Sequence, residues 1–105
     1  MKMVVVSDMH GSVAHADAVR EACKGAEVLI VCGDFTTFGD SERVQEMADA
    51  IRVEGVPLFF VTGNCDAVPV DLALEGCRNL HGRVERLGEW RFAGVCGSLP
   101  CPSHT

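Results

Sequence analysis

MVVVSDMHGS, from Met3 to Ser12, decides how the rest of the chain is read. Four apolar, largely β-branched residues suit a pleated strand covered on both faces. The run then breaks at once into a polar loop carrying two metal-ligand residue types, Asp8 and His10. The same grammar returns twice. VLIVC (Val28 to Cys32) runs into GDFTTFGD (Gly33 to Asp40), and PLFFV (Pro57 to Val61) runs into TGNCD (Thr62 to Asp66).

Helical patterns separate the three runs. Val13 to Lys24 carries Val13, Ala16, Val19 and Cys23 near helical spacing, with Ser12 as N-cap and Gly25 as stop. Glu42 to Val53 is clearer, because Val44, Met47, Ala48 and Ile51 fall at i, i+3, i+4 and i+7, with Ser41 able to cap and Gly55 closing. Asp40 reads as a turn or cap residue. After Asp66, Val68 to Leu74 is a short helix or turn, and VERL and WRFAGV flank Gly88 as an antiparallel hairpin with Trp90 and Phe92 as packing residues. The tail, GSLPCPSHT, reads as loop. The expected fold class is α/β: parallel strands as neighbouring central members of a layered sheet, flanked by helices, with a C-terminal antiparallel hairpin. Residues 1–105 form a single domain.

Composition narrows the function. Fifteen acidic against nine basic residues give a net charge of −6, which argues against a surface built to grip nucleic-acid phosphates. No apolar run approaches the roughly 20 residues of a membrane span. The start, MKMVVVSDMH, reaches Asp8 too soon for a signal peptide, so a cytoplasmic address is expected. The six cysteines form no CxxC pair and lie among apolar runs, which favours buried reduced thiols over a disulfide framework. Cys96 and Cys101 flank GSLP, but no second pair completes a zinc set.

In an open α/β sheet, ligands bind beyond the carboxyl ends of the strands, and here each of the three strands delivers ligand-type residues to that rim. Asp8 and His10, two apart in an extended segment, can point the same way and grip one ion. Asp34 can place one carboxylate oxygen on each of two cations, holding them about 3.5 to 4 Å apart, and Asn64 offers an amide oxygen to the second. Gly11, Gly33 and Gly63 remove bulk where the backbone turns and a phosphate must approach. His15 falls on the solvent side of the first helix, and His81 reads as a backbone-satisfying residue in a turn. His104 reads as a tail residue.

SDMHGS, GDFT and GNCD, in this order, resemble the first three motifs of the calcineurin-like metallophosphoesterases. The small prokaryotic phosphodiesterase-like branch is nearest, since it shares GNCD and a downstream HG (His81, Gly82) followed by a GVxGS-like segment (Gly94 to Ser98). The resemblance implies half of an α/β sandwich. It implies metal ligands Asp8, His10, Asp34 (the bridge) and Asn64, and catalytic residues Asn64, Cys65 and Asp66. It implies two divalent metal ions (Mn, Ni, Fe, Zn or Co) that activate water against a small phosphoester substrate. Two departures matter. Cys65 stands where much of the family has a general-acid histidine, which predicts a preference for diesters with acidic leaving groups. The family's later GH and GHxH motifs do not occur in these 105 residues, so the expectation is the first part of a longer domain. The alternative is a non-catalytic metal-binding scaffold of the same fold. A receiver or nucleotide-binding module lacks support, because there is no strand-end lysine and no GxGxxG. A sheet edge open after the hairpin offers a route to a homodimer.

Overall fold

The computed structural model describes the chain except at Gly11, Val13, Phe38, Asn64, Cys65, Val70 and residues 96–105. Its elements run β1 (Met3–Val6), α1 (Ala16–Ala22), β2 (Val28–Cys32), α2 (Ser41–Ile51), β3 (Leu58–Val61), β4 (Cys77–Asn79), β5 (Val84–Leu87) and β6 (Trp90–Ala93). Strands β1 to β4 form one parallel sheet in the order β1-β2-β3-β4, and β5 and β6 form a separate antiparallel hairpin. The α/β architecture read from the sequence is the one observed.

Because the sheet grows in one direction and parallel crossovers share one hand, both helices fall on the same face. There Leu29, Val31, Leu58 and Phe60 pack with Val44, Met47, Ala48 and Ile51 into the main core. Phe35 closes it against Phe60, edge to face at 5.7 Å. The opposite face is covered only in part: Val28, Phe59 and Leu80 are buried there, with Phe92 of the hairpin on Phe59 at 5.4 Å.

Several local expectations are corrected. β1 is an edge strand rather than a central one, and its alternate residues Met3 and Val5 are exposed. Helix α1 is shorter than its pattern. It begins beside His15 without a side-chain cap, and it fully buries no residue, with Ala16 and Val19 only half-buried against the main core, so packing adds little to offset the cost of nucleation. Ser12 Oγ instead accepts from the Ala14 amide. For α2 the cap is Asp40, whose carboxylate accepts from Arg43 N at 3.1 Å, and not Ser41. Strand β4 was not expected, since three residues with a charged middle carry no periodic signal; its register against β3 supplies it. Trp90 is more than half exposed, so of the two hairpin aromatics only Phe92 packs. Cys23 is buried, but Cys32, at the rim end of β2 on the less covered face, is exposed. Among the described residues no helix is long and apolar enough to cross a membrane.

Candidate metal centre

The loops that leave β1 and β2 are stitched together by main-chain bonds. Asp8 N donates to Gly33 O at 3.3 Å and His10 N to Asp34 O at 3.0 Å. This pairing continues past the strand ends and brings three side chains to one point. One ligand atom from each of Asp8, His10 and Asp34 lies within 4.8 Å of the other two. Donors each about 2.1 Å from a shared ion stand no more than about 4.2 Å apart, so a contraction of a few tenths of an ångström would complete the grip.

The backbone that achieves this is not extended, as period-two reasoning expects. Asp8, His10 and Asp34 have φ of 58°, 50° and 55°, and they are the non-glycine residues with positive φ among those described. A left-handed conformation costs an L-residue about 1 to 2 kcal/mol, and such strain persists only where surrounding structure enforces it. That the strained set and the convergent set coincide is what a site, rather than a solvated loop, requires.

Electrostatics suit the same use. The Ser7 hydroxyl donates to Asp8 Oδ2 at 2.9 Å and, with smaller help from His10, holds the Asp8 carboxyl below its ordinary range. His10 presents Nε2 to Asp8 Oδ1 at 3.6 Å, while Nδ1 faces Thr37 Oγ1 at 3.3 Å. A hydroxyl on Nδ1 orients the ring, and the tautomer that donates from Nδ1 presents the Nε2 lone pair to a cation. Two carboxylates and an imidazole are a hard-to-borderline donor set suited to divalent transition metals, so the residues fit such an ion.

Asp66 lies apart from these three, and its carboxylate is buried between the β2 and β3 loops. Oδ1 accepts from Thr36 N at 2.9 Å and Thr36 Oγ1 at 3.2 Å; Oδ2 accepts from Gly63 N at 2.9 Å and Phe35 N at 3.3 Å. Asn64 and Cys65, which the motif places in the site, fall outside the described residues, as do Cys96, Cys101 and His104. His15 is exposed beside the start of α1, and His81 N is satisfied by Asn79 Oδ1 at 2.8 Å. Sequence reasoning missed Ser7, Thr36 and Thr37. The available signal was a hydroxyl beside each ligand segment, SD and DFTT, but hydroxyls are too common in loops for spacing alone to single them out.

A model of the calcineurin-like phosphoesterase superfamily domain matches residues 1–96. The chain belongs to that superfamily. It is also similar to the uncharacterized protein MJ1162 of Methanocaldococcus jannaschii, 36% identical over an aligned 110 residues that cover 100% of this chain and 47% of the relative. The chain therefore spans about half the length of that relative, whose name assigns it no activity. No solved structure matches the chain.

Proposed function

We propose that this chain supplies the first ligands of a dinuclear centre that hydrolyses small phosphate esters. The observation that carries the reading is the convergence of Asp8, His10 and Asp34 in enforced left-handed backbone at the rim of the sheet. Asp8 and His10 would hold one cation, Asp34 would bridge to a second, and Asn64 is the further ligand on motif grounds. Divalent ions bound there would supply positive charge to the phosphoryl oxygens and acidify a water. Of this chain's own groups, Ser7 donates to the Asp8 carboxylate and Thr37 contacts His10 Nδ1 and so orients the ring. Cys65 replaces the usual acid, so leaving groups that depart without a proton, such as aryloxides, are favoured. The net charge of −6 is in keeping with a small substrate rather than a nucleic acid. Mn, Ni, Fe, Zn and Co all suit the donors.

The test is a calorimetric titration with Mn²⁺ alongside hydrolysis of a chromogenic bis-aryl phosphodiester. Mn²⁺-dependent turnover that drops at least about a hundredfold in Asp34→Ala is expected, since the bridge serves both ions. Tight Mn²⁺ binding without turnover would favour the scaffold reading. No turnover, with binding unchanged in Asp34→Ala, discards the proposal.

A further inference from the structure

Asp66 carries more connections than a residue next to a motif needs. The residue is 7% exposed, and both carboxylate oxygens are used twice. Three of the four donors are main-chain amides, Phe35 N, Thr36 N and Gly63 N, drawn from the two loops that follow β2 and β3. The fourth, Thr36 Oγ1, also accepts from Gly39 N at 2.9 Å, so the bond chain reaches the approach to α2. An ionised carboxylate aimed at amides makes shorter, stronger bonds than a neutral acceptor.

The residues fixed by these bonds are the neighbours of the strained ligands. Phe35 follows Asp34 directly and is locked below by its edge contact with Phe60. Thr36 precedes Thr37, whose hydroxyl faces His10 Nδ1. Asp34 O and Gly33 O receive the amides of His10 and Asp8. On the other side Gly63 abuts Asp34 so closely that any Cβ there would strike the carboxylate.

We infer that Asp66 is the positioning residue of the metal centre: its buried carboxylate clamps the β2 loop to the β3 loop, and through that clamp sets Asp34 directly and Asp8 and His10 through their main-chain bonds. Asp66 itself contacts no reacting atom in this role, in place of the catalytic part the motif suggested. The inference rests on the metal reading above, and it adds a residue whose loss should weaken the centre without removing a ligand. Asparagine in its place keeps the shape but turns one oxygen into an NH₂ that must face at least one main-chain amide donor, which breaks at least one of the four bonds and removes the charge from the rest.

The experiment compares Asp66→Asn with Ile51→Ala, a buried α2 change remote from the rim, each measured against its own loss of Tm. Mn²⁺ affinity by calorimetry should fall about 10- to 100-fold in Asp66→Asn, the range for outer-shell partners of a metal site, and less than twofold in Ile51→Ala. Amide hydrogen exchange needs no metal: Phe35, Thr36 and Gly63 should exchange at least about tenfold faster in Asp66→Asn than in Ile51→Ala at equal stability. If Asp66→Asn does not fold, Thr36→Val removes one bond of the same clamp and should weaken Mn²⁺ binding severalfold. Unchanged Mn²⁺ affinity and unchanged exchange in a folded Asp66→Asn, or unchanged affinity in Thr36→Val, overturn the clamp. A wild type that binds no Mn²⁺ sinks the metal reading instead, and the exchange data still decide whether the clamp exists.

Discussion

At the C-terminal rim of the sheet the loops after β2 and β3 pass so closely that a Cβ on Gly33 would lie 2.8 Å from Gly63 Cα. At the N-terminal rim the loop before β3 turns at Gly55, where a Cβ would meet nothing within 4 Å. Both glycines have positive φ, +91° and +84°, yet they answer different needs. Gly55 does not close α2, which ends at the Arg52 C-cap; it sits in the turn that Val56 N closes on Val53 O, and its surroundings leave room. Gly33 and Gly63 let two backbones and one carboxylate share a space that side chains would fill. The strained non-glycine residues gather at the C-terminal rim as well, so the two ends of one sheet differ in what each spends its backbone freedom on: a compact cluster of donors at one, ordinary turns at the other.

The largest effect that would break this contrast is expected from Gly63→Ala. The added methyl must move Asp34 or the β3 loop, so Mn²⁺ affinity should fall more than about tenfold and stability by about 2 kcal/mol or more, read by calorimetry and thermal unfolding. Wild-type affinity in that variant would mean the close packing is dispensable. Gly55→Ala sharpens the comparison from the other side. With only its left-handed φ to oppose an alanine, it should lose about 1 kcal/mol and leave Mn²⁺ binding unchanged.

The smallest effect concerns two thiols, one near each rim. Cys32, at the end of β2, is exposed, whereas Cys77, at the start of β4, is half-buried and its thiol is pushed up to about 11, chiefly by burial and against the nearby Arg52. The folded chain thus holds that proton more tightly than the unfolded chain. Its contribution to stability is complete below the ordinary thiol value of 9.0 and fades as pH rises through about 11. Alkylation followed by mass spectrometry at pH 8 should label Cys32 well before Cys77, with Cys77 catching up only as pH nears 11. Equal rates at pH 8 would contradict the burial of Cys77.

The strands β1 to β3, the apolar stripe of α2 and the β5–β6 hairpin were legible because each repeats a short-range period that its own residues impose. So was the convergence of Asp8, His10 and Asp34, although the geometry inferred for it was not. An extended DxH would align its side chains by alternation; the observed left-handed turns align them only because Gly33 and Asp34 receive the amides of Asp8 and His10. Strand β4, three residues long, took its identity from the β3 edge it joins, and α1 is shorter than its pattern, with only Ala16 and Val19 half-buried against the core.

From its residues alone, the chain determined its class, its family motifs and the rim at which charged ligands would meet, since strand periodicity and strand-end loops are local properties. Tertiary structure alone decided that β1 lies at an edge, that Asp40 rather than Ser41 caps α2, and that Asp66 is buried with four donors around it. Those outcomes depend on which distant amides and faces arrive at the same point, and no spacing along a chain encodes a distance across it.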